Sequence, residues 1–315
     1  MQLFRTTHLD SAQVAFLQRE LESLDKQVYE DLLPGYMART YIPDYPGIAP
    51  WQESVTYKMY TKRGKARKGG RNSNAAPRVG LTMQPHSRRI EQFEDSYAWT
   101  VREIQQAANT GTPLDQMSVV AARSAIAKQI DDMLTSGNGS DIGGFVNNTD
   151  VTIETATTKT SGTGWLTPGN TADQIMADVS KMIENITTGL KQTESPGFNK
   201  FVVLLPTKQY AHIATTPRSS LSDTTILSFL IKNNPWIESI EPWWQLNGAG
   251  AANGGTGDRM VVYPRTPLAV AGIVPQDFFA LSPQEQGQEI VVPCSGSSGG
   301  TVWRYPVAGR YMDAI

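Results

Sequence analysis

The residues best suited to covalent or acid–base chemistry are few: His8, His86, His212 and a single cysteine, Cys294. A cysteine nucleophile needs a base within hydrogen-bond reach, and His would be that base. Sequence leaves a His–Cys pair open. The simpler reading places Cys294, which precedes Ser-Gly-Ser-Ser-Gly-Gly, as a buried bystander in a β-rich tail, and His212, in Thr207-Lys-Gln-Tyr-Ala-His212, on a helix face. There is no HExxH, no paired CxxC and no GxSxG, so the common zinc, redox and serine-nucleophile frameworks are missing. Gly137-Asn-Gly139-Ser-Asp-Ile-Gly-Gly144 lacks phosphate-loop spacing and follows a helix rather than a strand; Gly248–Gly257 has no Lys-Ser/Thr after it. The acidic pairs Asp131-Asp132 and Glu94-Asp95 lack calcium-loop spacing and read as solvated faces. No catalytic residue, metal ligand or cofactor is assigned.

One cluster of charge remains. Glu53–Arg71 reads ESVTYKMYTKRGKARKGGR: a strand-like alternation that turns into a glycine-punctuated basic run. Lys58, Lys62, Arg63, Lys65, Arg67, Lys68 and Arg71 carry seven positive charges with no acid among them. Lys and Arg interleaved with Tyr57 and Tyr60 could hold a nucleic-acid backbone. The whole chain, however, has a formal net charge of −2 over 315 residues, so it has no general attraction for polyanions. The preferred reading is a charged ribbon that docks on an acidic patch of a neighbouring subunit; a solvated loop is the plain alternative.

The ribbon needs two strands. Glu53–Arg63 supplies one and Arg78-Val-Gly-Leu-Thr-Met83 the other, joined by a polar segment from Asn72 to Pro77. Two strands with a long charged tip bury little of their own surface, and the expected cover is another copy of the chain. Before the ribbon, residues 11–33 read as an amphipathic helix capped by Ser11, with Val14, Leu17, Leu21, Leu24, Val28 and Leu32 at spacings of three and four. Residues 34–52 are rich in Pro, Tyr and Gly and read as an extended arm. After the ribbon, Gln92–Ala108 is strand-like and then helical. The clearest helix spans about 113–134, with Thr112 as cap, Pro113 at the first position and Asp115 in the first turn. Its apolar stripe is Leu114, Met117, Val120, Ala121, Ala125, Ile126, Ile130 and Met133. Further on come a half-exposed strand at 151–160, a helix at 171–188, a buried strand Phe201–Leu205, short helices near 207–214 and 224–232, and strands at 236–244, 260–263, 268–274, 290–292 and 301–306.

One cysteine excludes an intrachain disulfide and fits a reducing compartment. The start, MQLFRTTHLD, has no signal-peptide apolar core, and runs such as Phe201–Leu205 are far short of the roughly 20 residues a membrane helix needs. A soluble chain without membrane contact is expected.

With these elements in this order, the sequence resembles tailed-phage major capsid proteins of the Hong Kong 97 fold, the fold shared with encapsulin shells. The resemblance lies in Glu53–Ala66 as the ascending strand of an extended loop and in Tyr97-Ala-Trp-Thr-Val-Arg-Glu-Ile-Gln-Gln-Ala-Ala108 leading into a spine helix. It continues in Gly144-Phe-Val-Asn147 after the spine, Leu204-Leu-Pro-Thr-Lys-Gln-Tyr210, Gly257-Asp-Arg-Met-Val-Val-Tyr263, Arg304-Tyr-Pro and Tyr311–Ile315. It implies an α+β fold: an N-terminal helix and arm (1–52), an extended β-hairpin loop (53–95), a peripheral domain with the spine helix (96–150), and an axial α/β domain with returning peripheral strands (151–315).

The implied role is assembly rather than catalysis. Copies would form hexamers and pentamers of an icosahedral shell around double-stranded DNA, held by non-specific contact, with scaffolding, portal and decoration proteins as further partners. The implied place is the virion, assembled in the host cytoplasm. The expected inter-subunit contacts are the seven cations of the loop and Tyr36, Tyr41, Tyr45 and Trp51 of the arm. Some relatives crosslink a loop lysine to an asparagine; Lys62, Lys65 and Lys68 lie in the right region, but no acceptor maps, so that chemistry is not carried over. An encapsulin-type compartment and a soluble α/β enzyme stay open as alternatives.

Overall fold

The computed structural model describes residues 35–66, 68, 78–110, 114–157, 164–192, 198–219, 221–253 and 257–315. Two compact units are distinguished, Met1–Gly35 and Tyr36–Ile315, and the account below is of the second. The helix expected at 11–33 lies outside the described residues.

In chain order the elements are α1 (Ala38–Tyr41), β1 (Ser54–Arg63), β2 (Gly80–Arg89), β3 (Glu91–Thr100), α2 (Val101–Thr110), α3 (Leu114–Ser136) and β4 (Thr152–Thr155). Then follow α4 (Ala172–Gln192), β5 (Phe201–Leu205), α5 (Thr207–Thr215), β6 (Pro217–Ser219), β7 (Ser222–Thr225), α6 (Ile226–Asn233) and β8 (Ile237–Pro242). The rest is β9 (Arg259–Tyr263), β10 (Val270–Ile273), β11 (Gln276–Ala280), β12 (Gln284–Gln286), β13 (Glu289–Ser298), β14 (Gly300–Trp303) and β15 (Arg310–Asp313).

A five-stranded sheet in the order β4-β15-β9-β5-β8 forms the centre of the α/β part. Its middle strands read as continuous apolar runs because both faces are covered. On one face Phe201, Val203 and Leu205 meet Ile175, Val179, Met182, Ile183 and Ile186 of α4. On the other, Val202 and Leu204 join Phe145, Trp243, Tyr263, Trp303 and Tyr311. At the centre Arg259, fully buried, forks onto Asp313 of the adjacent strand (Nε–Oδ1 and Nη2–Oδ2 both 2.6 Å) and donates to the Val146 carbonyl at 2.5 Å. A buried charge is tolerable only when it is paired and hydrogen-bonded in this way.

The second sheet pairs β13 with β11 and β12 on one side and with β3 on the other. The long helix α3 covers one face of it. Tyr97 and Trp99 pack towards the core, and the Trp99 indole donates to Ser118 Oγ at 3.1 Å. Gly296 lets helix and sheet approach, since a Cβ there would lie 2.5 Å from Ile126 Cγ2.

The end of α3 is sealed by the Gly144–Asn147 turn. The amides of Phe145 and Val146 donate to the carbonyls of Leu134 and Thr135, while Asn147 accepts from the Gly144 amide and donates to the Ser136 carbonyl. These are the carbonyls a helix leaves unpaired at its C-terminus. Gly137 stands at φ 68°, and a Cβ there would lie 2.0 Å from the Ile142 carbonyl oxygen.

Three expectations change. The buried side of α3 is Ala122, Ile126, Ile130, Met133 and Leu134, whereas Met117, Val120, Ala121 and Ala125, expected inward, are exposed. Asp131 is not solvated: it is buried and accepts from the Ala38 amide (2.8 Å) and from Gln245 Nε2 (2.8 Å), and burial pushes its carboxyl pKa up. The hairpin ends at Arg89; Glu91–Thr100 is a strand of the second sheet, and its first five residues fall inside the 53–95 range assigned to the extended loop.

Candidate functional site

β1 and β2 pair antiparallel over ten residue pairs, from Ser54↔Arg89 to Arg63↔Gly80. The alternation of Thr, Tyr and Met with Lys favours strands, and Gly64 and Gly80 flank the outer end. Among the described residues the sheet has two strands. Its base is fastened: Val55 is buried with Ile273 and Val302, the Ile90 amide donates to the Glu53 carbonyl (2.9 Å), and Tyr57 stacks on His86 with centroids 5.3 Å apart. Burial at this base raises the Tyr57 hydroxyl pKa.

Beyond the base the ribbon is bare. Directly opposed residues share a face of the pleat. One face carries Lys58, Tyr60 and Lys62 opposite Pro85, Met83 and Leu81. Tyr60 is 60% exposed, Leu81 61%, Met83 63% and Val79, just before β2, 73%. Four large apolar side chains therefore project on one side with no cover from the subunit. Lys58, Lys62, Arg63, Lys65 and Lys68 are all exposed and pair with no described acid. Arg67 and Arg71 lie outside the described residues.

The arm differs from its expected form. Segment 36–48 packs on its own body rather than standing free. Tyr41 is a correction to the expected inter-subunit contacts: it is buried, its hydroxyl donates to the Pro242 carbonyl at 2.7 Å, and its ring lies 5.2 Å from Trp243. The Tyr263 hydroxyl in turn donates to the Tyr41 carbonyl. The aromatic cluster of the body needs this side chain, which is why it is not left for a neighbour. Tyr45 is half-buried under the Arg304 guanidinium, 4.4 Å from the ring centroid, and its amide donates to the Gly272 carbonyl. Tyr36 is partly exposed. Trp51 is 80% exposed, an indole presented to the outside just before the hairpin.

The residues considered for chemistry are dispersed. His86 is stacked in the hairpin, His212 sits in α5, and His8 lies outside the described residues. Cys294 is buried and burial raises its thiol pKa, the opposite of what a nucleophile needs. Among the described residues no group of three His, Cys, Asp or Glu could hold a metal ion, and no helix is long and apolar enough to cross a membrane. A cleft of about 600 Å³ between α4 and α6 is lined by residues such as Ile183, Phe229, Leu230 and Trp236, with Glu184 the one acid among its described lining residues. The glycine stretch 137–144 closes α3 rather than cradling a ligand.

The described residues thus form a central sheet covered on both faces, a second sheet backed by α3, and a two-stranded ribbon buried only at its base. The family model described as Major capsid protein matches residues 64–315, and the chain belongs to that family. As a major capsid protein it is a structural component of a capsid shell, and its α+β fold is the Hong Kong 97-like one. Among solved structures, "The capsid of Myoviridae Phage XM1" is similar at a TM-score of 0.77 and 18% identity, over 94% of this chain and 98% of that one. "Mycobacterium phage Bobi" is similar at 0.61 and 13%, over 98% and 100%. "Capsid of empty GTA particle computed with C5 symmetry" is similar at 0.61 and 8%, over 97% and 99%. No curated protein shows significant similarity to the chain.

Proposed function

We propose that the chain assembles with copies of itself, as hexamers and pentamers, into an icosahedral shell that encloses double-stranded DNA. The β1–β2 hairpin, with Lys58, Lys62, Arg63, Lys65, Arg67, Lys68 and Arg71, and the exposed Trp51 and partly exposed Tyr36 of the arm reach neighbouring copies. The observation that carries this reading is the hairpin itself: ten residue pairs long, yet buried only at its base. A two-stranded ribbon is marginal alone in water and gains stability by packing against something else. A repeated neighbour supplies that packing in a closed symmetric assembly.

The role is structural and not catalytic, a reading supported by the high-pKa buried thiol of Cys294 and by the dispersal of the histidines. Scaffolding, portal and decoration proteins complete the particle, DNA is held by non-specific contact, and assembly takes place in the host cytoplasm before the shell becomes part of the virion. No observation favours the encapsulin-type reading over this one. Negative-stain electron microscopy of the purified protein tests the proposal. Hollow particles of uniform diameter are expected; a monomer at every concentration and ionic strength would contradict it.

A further inference from the structure

Two buried acids of the body are compensated differently. Asp313 faces the Arg259 guanidinium. Asp131, near the C-terminal end of α3 and 3% exposed, pairs with no described cation. Its Oδ1 accepts from the Ala38 amide and its Oδ2 from Gln245 Nε2, both at 2.8 Å. The elements α1, β3, β11, β13 and β14 pack against α3, and the 3₁₀ turn Trp244–Leu246 supplies Gln245. Their charged residues are Arg39, Glu91, Glu94, Asp95, Asp277 and Glu289. On α3 itself Asp132 adjoins Asp131, and Lys128 is exposed one turn away. Tyr41, Tyr97 and Cys294 are also titratable, and burial raises the pKa of Tyr41 and Cys294, which keeps both uncharged. Arg39 is the one cation that these neighbouring elements bring. It is committed elsewhere, forking onto Asp277 at 2.7 and 2.8 Å and reaching Asp44 at 3.2 Å. A carboxylate at position 131 is therefore a buried charge without a counter-charge, and Asp132 adds a like charge beside it.

The neutral acid fits the same atoms. Gln245 Oε1 now accepts from Thr135 Oγ1 at 3.1 Å. If the Gln245 amide turns over, its oxygen accepts the proton of the Asp131 acid. Its nitrogen then donates to Thr135 Oγ1, since a hydroxyl serves as donor or acceptor. Asp131 Oδ1 still receives the Ala38 amide. Protonation thus removes the charge and keeps every hydrogen bond to the segment.

We infer that Asp131 makes the attachment of segment 36–48 to the body proton-linked: the neutral acid holds the segment and the carboxylate loosens it. Lifting the segment would let water reach Asp131 and return its pKa towards the ordinary value of about 3.9. In the seated state burial raises that pKa. A group with the higher pKa in the seated state favours that state below the lower pKa and loses this contribution as pH rises through the higher one. The attachment is therefore firmer in mild acid than at neutral pH. The other charged contacts of the segment run the opposite way. Arg39 with Asp277 and Asp44, and Arg265 beside Glu241 on the Thr40 carbonyl, weaken when carboxylates protonate. The sign of the pH effect separates the two sources.

Amide hydrogen exchange of the purified full chain between about pH 5 and 8, with rates corrected for the intrinsic effect of pH, tests the inference and does not depend on particle formation. The readout is protection of the Ile42 and Tyr45 amides, which donate to the Ala38 and Gly272 carbonyls. Their protection should rise as pH falls, by at most about tenfold for each unit between the seated and lifted pKa values. The amides of β5 report global opening and should not follow. Asp131→Asn keeps an oxygen for the Ala38 amide and puts an N–H where the acid proton would lie. It should hold the segment at the alkaline end as firmly as the wild type does at the acid end, with a flat profile. Asp277→Asn should keep the wild-type slope. A wild-type profile that is flat, or that falls in acid, overturns the inference. So does a slope that persists in Asp131→Asn, or protection at the alkaline end that drops below wild type in that variant. If Asp131→Asn does not fold, the wild-type and Asp277→Asn profiles decide, and loss of the slope in Asp277→Asn overturns the assignment to Asp131.

Discussion

Two antiparallel ribbons in this molecule have the same length and opposite fates. β1–β2 and β3–β13 each pair over ten residues. β3–β13 lies on α3, with Tyr97, Trp99, Val292 and Cys294 on its inner face. β1–β2 meets the body only at its base, around Val55 and Tyr57, and presents Tyr60, Leu81 and Met83 to the outside. Backbone pairing alone thus does not say whether a ribbon belongs to the subunit's own core. That is decided by which face is covered, and the outer face of β1–β2 has no cover among the described residues of its own chain.

This contrast predicts that changes in the body act on folding and that changes in the hairpin act on assembly. The largest effect falls on the buried pair in the central sheet. Asp313→Ala leaves Arg259 buried without its counter-charge and should cost about 3–5 kcal/mol of subunit stability, read as a lower urea midpoint. An unchanged midpoint would mean that Arg259 finds compensation elsewhere. A smaller effect comes from comparing the two ribbons directly. Trp99→Ala should destabilise the subunit by about 2–3 kcal/mol, because it removes an aromatic side chain packed on α3 and the bond to Ser118. Met83→Ala on the outer face of the hairpin should leave the subunit within about 0.5 kcal/mol, while reducing the yield of particles. Equal losses of subunit stability from both would break the distinction between the ribbons.

Much of the element order was legible in the sequence, because the periodicities are local. The alternation around Tyr57 and Tyr60 marked the first hairpin strand, and Phe201–Leu205 marked a buried strand at its observed bounds. The spine helix was also legible, but its buried side was only half right. Ile126, Ile130 and Met133 are inward as expected, while Met117 and Val120 were counted inward because they are apolar. Their exposure depends on where α3 leaves the sheet, which no local pattern encodes. Tyr41 was expected at an inter-subunit contact because the Pro- and Gly-rich segment around it read as an extended arm, yet its socket is made by Trp243 and Pro242, some 200 residues along the chain. Asp131 was read as solvated because acids usually are; its amide donor at Ala38 and its amide partner at Gln245 become visible only in the fold. The short strand β15 went unread, since four residues carry too little pattern, although it lies between β4 and β9 and supplies Asp313.

The apolar face of the hairpin, the basis of the proposed contact, was hidden for a different reason. The seven cations dominate the composition of Glu53–Arg71, and the apolar members Leu81 and Met83 come from the returning strand. Only the register Tyr60↔Met83 and Lys62↔Leu81 shows that they share a side with Tyr60.

Amide hydrogen exchange of residues 54–89, compared between intact particles and dissociated, folded subunits, tests the central claim most directly. Strong protection of the outer half of the hairpin in particles is expected, with rapid exchange in the free subunit and little change in β3–β13 backbone amides. Equal, rapid exchange of the hairpin in both states would mean that it stays uncovered in the shell, and would contradict the account.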